Sequence, residues 1–287
     1  MAIDPALRNL DIDLPACPQS LLKLSMLMSD EDANAASIAE LIEQDMALAA
    51  AVVRTVNSSL FGLSRRVETV PEAVRYLGTR EVSSLTFEIG LRGAFPPSDL
   101  LNALWDRASR RGLAMGRAAP DLDLDPWLAH TAGLFAESGQ AALLAHDTAG
   151  YTALVRAAPD ELDRLDDEVV RYGLNHAVLG GALCQSWGLA SDVSGSVRLR
   201  PLALRSLAGA FGGDTGFMPE EADSEWAMEP LSVQRLMALA AVVDAALAGG
   251  NARVLERCSS ALAPCAGLDA DALQDAVSQS VSRLQGR

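Results

Sequence analysis

Three features of the chain point to an all-α protein built as a multi-helix array. Apolar residues recur at three- and four-residue intervals along most of its 287 residues, and strand-like alternation is almost absent. Short polar residues, prolines and glycines punctuate those stripes where helices should begin and end.

The elements follow in order. Leu21, Leu24 and Leu27 mark the inner face of a first helix; Ile38, Leu41 and Ile42 mark a second; Leu48, Val52, Val53 and Val56 mark a third. Asp32 or Asn34 can cap the second helix and Asp45 the third, because a short polar side chain satisfies free amides of the first turn. The third helix should stop at Asn57-Ser58-Ser59, whose side chains compete for backbone hydrogen bonds. Pro71 suits the first turn of the short helix PEAVRYL, and Gly78 ends it. A helix through Val82, Leu85 and Ile89 comes next. Pro96-Pro97 then breaks the pattern before a long helix over Leu100 to Ala119. Glycine, acid and proline cluster again at FGGDTGFMPEEAD, and the helical stretches SVQRLMALAAVVDAALAGG and LDADALQDAVSQSVSRL close the chain. The expected organisation is an amino-terminal helical subdomain over 1–95, a second over 96–210, and carboxy-terminal helices over 211–287 packed on the same body.

Composition narrows the function. No stretch reaches the roughly 18 to 20 uninterrupted apolar residues of a membrane span, despite a mean hydropathy of +0.15. The opening MAIDPALRNLDIDLP lacks a basic region followed by an apolar run, so no signal peptide is expected and a cytoplasmic location is. The net charge of -15, from 38 acidic and 23 basic residues, disfavours nucleic acid as a partner. Arg107, Arg110, Arg111 and Arg117 share helical spacing and form either a local basic patch or a solvated face. Cys17, Cys184, Cys258 and Cys265 form no Cys-x-x-Cys pair, so neither a zinc nor a redox site is expected. The run DLDLDP at 121–126 lacks the glycine and distal glutamate of a calcium loop and reads as an interhelical connection. No phosphate-cradling glycine loop and no nucleophile elbow occur, and no cofactor is expected.

The order of segments carries more. A Pro15-containing entry, the run SIAELIEQDMALAAAVVRTV, the stop Val56-Asn57-Ser58-Ser59-Leu60-Phe61-Gly62-Leu63 and, downstream, Gly173-Leu174-Asn175-His176 and DVSGSVRLRP resemble the HDOD family over about residues 14 to 205. These bacterial helical domains are related to HD-type metal-dependent phosphohydrolases but generally lack their metal ligands. In an HD enzyme an upstream histidine, a His-Asp pair and later histidine or aspartate ligands hold a metal that activates water. The resemblance aligns Gly133-Leu134-Phe135-Ala136-Glu137-Ser138-Gly139 with the His-Asp segment, so Ala136 stands at the histidine and Glu137 at the aspartate. It places Arg107 at the first ligand and Arg198-Leu199-Arg200 at a later His-His pair. These positions, with His176, form a candidate cleft that suits a charged peptide segment or a small anionic ligand better than a metal.

Other residues compete for attention. A literal pair, His146-Asp147, would support a divergent metal phosphohydrolase if His130 or His176 and a carboxylate converged on it; a helix-capping pair is the alternative reading. His176 opens a helix with small residues at Ala177, Gly180, Gly181 and Cys184, and anchoring by hydrogen bonds is the plainer role. Asn57 either satisfies backbone groups at its helix stop or, with Phe61, offers a partner loop. The expectation is a noncatalytic signalling or regulatory module acting through a protein partner, with the cleft between the two subdomains as its surface. The resemblance implies links to cyclic-di-nucleotide, motility or stress pathways. A nucleotide or nucleic-acid binder using Arg107, Arg198 and Arg200 remains a third reading.

Overall fold

The computed structural model describes residues 12–28, 30, 34–58, 65–211, 226 and 228–284, and every regular element among them is a helix. Two compact units emerge, one of Pro15–Pro97 and one that contains Ser98–Arg287. The break falls directly after the Pro96-Pro97 pair.

The smaller unit holds α1 (Gln19–Met28), α2 (Ala35–Glu43), α3 (Met46–Val56), α4 (Val70–Leu77) and α5 (Thr79–Gly93). Of the two candidate caps for α2, Asn34 performs the role: its Oδ1 accepts the amides of Ala36 and Ser37 at 3.0 and 3.1 Å. Asp45 does the same for α3. Leu21, Leu24, Ile38, Ile42, Leu48, Val52, Val56, Val82 and Leu85 are buried, whereas Leu27, Leu41, Val53 and Ile89 are only half-buried. Asn57 ties the end of α3 to a segment ten residues on. Its Nδ2 donates to the carbonyls of Val53 (2.8 Å) and Val67 (2.7 Å), and its Oδ1 accepts the Val67 amide at 2.8 Å. Phe61 lies outside the described residues. Gly78, at φ +87°, ends α4 and opens α5 in a conformation an L side chain rarely adopts.

The larger unit contains α6 (Asp99–Ala118), a 3₁₀ turn (Ala119–Leu122), α7 (Pro126–Phe135), α8 (Ser138–His146), α9 (Thr148–Ala157), α10 (Glu161–Tyr172), α11 (His176–Ser186) and α12 (Ser191–Ala210). After residue 230 come α13 (Leu231–Leu247), α14 (Ala252–Leu262), a second 3₁₀ turn (Pro264–Ala266) and α15 (Ala270–Leu284). The acidic run at 121–126 is an interhelical connection: Asp125 caps α7 by accepting the Leu128 amide at 2.9 Å. The closing helices pack against α6 and α12, and the Ser280 hydroxyl on α15 donates to the Ala114 carbonyl on α6 at 2.8 Å.

Two close approaches position everything that follows. A Cβ at Gly133 on α7 would lie 2.8 Å from the Gly112 Cα on α6, and one at Gly139 on α8 would lie 1.8 Å from the His176 carbonyl oxygen on α11. Both are backbone collisions with no flexible end to yield. The segment that resembles the His-Asp motif therefore keeps its framing glycines for packing: Gly133 seats α7 on α6, and Gly139 seats α8 on α11.

Candidate functional site

Helix α7 ends at Phe135 and α8 begins at Ser138, so Ala136 and Glu137 form the corner between them. Ala136 is buried and offers only a methyl group. Glu137, 1% exposed, meets α6, which presents Arg107 and Arg111 one helical turn apart. Arg107 donates from Nε and Nη2 to both carboxylate oxygens at 2.9 Å, and Arg111 adds an Nη2 bond to Oε1 at 2.8 Å. Burial alone would raise the Glu137 pKa, but the charges of Arg111, Arg107 and Arg200 outweigh it and hold the group at about 2.

The network continues from there. Arg111 Nε donates to Asp244 Oδ1 on α13 at 2.6 Å, and Arg200 Nη2 on α12 donates to Asp244 Oδ2 at 3.0 Å. Arg200 also pairs with Glu161, the first residue of α10. Glu161 in turn faces His176 Nε2 at 3.2 Å, while His176 Nδ1 lies 2.7 Å from Glu168 Oε2. Glu168 accepts the backbone amide of His176 at 2.8 Å and the Tyr151 hydroxyl at 2.8 Å. A chain of ion pairs and hydrogen bonds thus runs from Arg107 to Tyr151 across six helices. Burial would lower the pKa of His176, which is 1% exposed, but the carboxylates of Glu161 and Glu168 raise it to about 9. The buried ring lies between two carboxylate side chains that favour its protonated form.

Above this network opens a cleft of about 580 Å³, bounded by α6, α8, α10, α12 and α13 and by Pro159 and Ala248. Arg107, Arg110, Arg111, Glu137, Glu161, Arg164, Arg200 and Asp244 all line it. Every lining residue belongs to the larger unit, so the cleft lies inside that unit and not, as expected, between the subdomains. Arg107, Glu137 and Arg200 converge on its wall, and His176 stands one ion pair behind. Arg198 departs from expectation: it is absent from the lining and reaches Glu229 at 3.6 Å from a half-exposed position.

The residues present do not fit a metal. Both oxygens of Glu137 and both of Asp244 already accept guanidinium N–H groups, both nitrogens of His176 face carboxylates, and Ala136 has no donor atom. Three guanidinium groups supply the positive charge that a metal would bring, and they would repel one. Among the described residues no group of three or more His, Cys, Asp or Glu side chains is arranged to hold a metal ion. The His146-Asp147 pair sits elsewhere: Asp147 caps α9 through the Gly150 amide (2.8 Å) and takes Arg171 at 2.9 Å, while His146 is exposed and packs edge-on to Tyr172. His130 is a buried α7 residue stacked against Trp127.

Sequence reasoning missed Asp244, Glu161, Glu168, Tyr151 and Arg164. Asp244 carried a usable signal, as the one acid inside the apolar stripe of α13. Glu161 and Glu168 were hidden in an acidic helix whose other carboxylates face solvent.

This architecture defines a class: an all-α, HD-like multi-helix protein whose larger unit carries a buried arginine–carboxylate network. Within it, the chain belongs to the HDOD domain family, whose model matches residues 14–200. A protein of Treponema pallidum (strain Nichols) named only as uncharacterized is 29% identical over 200 residues, which cover 65% of this chain and 37% of that protein's length. Among solved structures, a signal transduction protein candidate from Marinobacter aquaeolei VT8 is 20% identical with a TM-score of 0.70, over 98% of this chain and 62% of that one. A candidate phosphohydrolase from Shewanella amazonensis SB2B is 20% identical with a TM-score of 0.69, over 98% and 96%. An HDOD domain protein of unknown function from Geobacter sulfurreducens is 18% identical with a TM-score of 0.65, over 98% and 93%. At these identities the likeness shows the fold. Among the described residues no helix is long and apolar enough to cross a membrane.

Proposed function

We propose that this chain is a noncatalytic regulatory module that acts by associating with a protein partner, in a bacterial signalling context. One observation carries the reading. The Glu137 carboxylate, which the family resemblance sets at the aspartate position, is 1% exposed and bonded by two arginines, so its oxygens are spent on holding α6, α7 and α8 together. A hydrolase needs an open coordination position and an activated water. Glu137 supplies neither. The same groups give the cleft fixed charges of both signs, which suits recognition of a charged segment of another protein. The family's association with signal transduction supports the regulatory part, and cyclic-di-nucleotide, motility and stress pathways are where its partner should be sought.

Affinity purification from cells that express the protein natively tests the association. Arg110 is exposed on the cleft rim and Arg198 lies off it. Arg110→Glu should lose a partner that both the wild type and Arg198→Glu retain. Retention of every partner by Arg110→Glu, or recovery of nucleic acid alone, would contradict the proposal and favour the nucleic-acid reading.

A further inference from the structure

We infer that the cleft of the larger unit is a binding site for a small molecule recognised through a phosphate group. The first ground is a charge count within the lining. Glu137, Glu161 and Asp244 are matched by Arg107, Arg111 and Arg200, all in ion pairs. The other charged groups on the wall are Asp106, Arg110 and Arg164, and among the described residues neither Arg110 nor Arg164 is paired with a carboxylate. The wall is therefore net positive, in a chain whose net charge is -15. A concave site of reversed sign focuses the field on an anion.

The second ground is a set of unspent donors. Arg111 is 1% exposed and Arg200 7%, yet Arg111 Nη1 and Arg200 Nε have no hydrogen-bond partner; Arg164 Nε, on a side chain 5% exposed, has none either. Buried guanidinium N–H groups are rarely left unsatisfied, because each lost bond carries its full desolvation cost. Three such groups sit on residues lining one cleft; closed off from solvent themselves, they add to the positive field there, while exposed Arg110 offers the donors that an acceptor-rich ligand can reach. An oxyanion with several acceptor oxygens matches forked guanidinium donors.

The lining also limits the ligand's body. It contains no aromatic ring for a nucleobase to stack on, and its apolar members are only Ala103, Pro159, Leu247 and Ala248. The anionic group is the part recognised. The inference rests on the functional reading in one respect only, that guanidinium groups and not a metal supply the positive charge.

Isothermal titration of the purified full chain, at fixed ionic strength with EDTA present, tests it with inorganic pyrophosphate, inorganic phosphate and acetate as probes. Saturable binding is expected, strongest for pyrophosphate and weakest for acetate. Arg110→Gln should weaken pyrophosphate by at least about tenfold, equivalent to roughly 1.4 kcal/mol. That variant should melt with the wild type, since Arg110 is exposed and belongs to none of the ion pairs. Arg164→Gln provides the second, buried probe. Absence of saturable binding by either phosphate anion overturns the inference, as does undiminished affinity in both variants. Binding that appears only when manganese replaces EDTA, with phosphate released from pyrophosphate, overturns this inference and the noncatalytic reading together; no binding with or without manganese overturns this inference alone.

Discussion

Replacing Glu137 by glutamine removes one charge from the centre of the network while keeping the side chain's shape. In the wild type the carboxylate accepts three guanidinium bonds, two from Arg107 and one from Arg111. The glutamine amide has one acceptor oxygen and turns an N–H₂ group toward at least one of those donors. The Arg111 arm dominates the cost, because both partners are 1% exposed and Arg111 keeps only Asp244 as a counter-ion. Leaving a buried charge underpaired costs about 3 to 5 kcal/mol. The Arg107 side chain is 51% exposed, so solvent screens its arm, which adds no more than about 1 kcal/mol. We expect a loss of about 3 to 5 kcal/mol for Glu137→Gln and under about 1 kcal/mol for Arg107→Ala.

The assay follows from the tryptophans. Trp105, Trp127, Trp187 and Trp226 are the chain's 4 tryptophans, all buried and all beyond Ser98, so fluorescence-detected urea unfolding reads the larger unit without interference from Pro15–Pro97. A midpoint shift at unchanged slope gives the stability change. A loss below about 1 kcal/mol for Glu137→Gln would refute the reasoning, since the ion pairs would then contribute no more than an exposed surface bridge.

Three further outcomes are expected. Asn57→Ala should destabilise the smaller unit by about 1 to 2 kcal/mol through its three lost hydrogen bonds, seen by far-ultraviolet circular dichroism and not by tryptophan fluorescence; unchanged stability with lost partner binding would make Asn57 an interface residue. His176 has its pKa raised from 6.5 to about 9 between Glu161, Glu168 and the nearby Arg200 and Tyr151. Its contribution is fully present below pH 6.5 and is lost as pH rises through 9, so the melting temperature should fall across that window more steeply than in His176→Gln; parallel profiles would contradict it. A chain ending at Phe211 should aggregate, because α13 to α15 cover α6 and α12 and bury Leu236, Leu239, Val242, Val243, Leu273 and Val277; a soluble, cooperatively unfolding truncation would show that they are dispensable.

The helices were legible because their signals are local. Asn34, Asp45, Gly78 and the apolar stripes act within a turn or two, and a single sequence displays them. Arg107, Glu137 and Arg200 were singled out only through the family resemblance; no local property of the sequence marked them. The rest depended on distant pairing: Arg111 meets Asp244 across 133 residues, and Arg200 meets it across 44. Periodicity cannot report such partners. It placed Arg111 on a helix face but left open whether that face met solvent or the two carboxylates of Glu137 and Asp244. Arg198 shows the same limit from the other side, because one position along α12 separates it from Leu199 and two from Arg200, and about 100° of helix rotation per residue carries it off the cleft.

The claim on which the account turns is that guanidinium groups have taken the place of a metal. Elemental analysis of the purified full chain, after exposure to manganese and iron and removal of excess, combined with turnover of a generic phosphodiester, tests it most directly. The account predicts substoichiometric metal and no hydrolysis above a protein-free control. Stoichiometric metal with turnover that disappears in Glu137→Gln, or in His146→Ala, would contradict it.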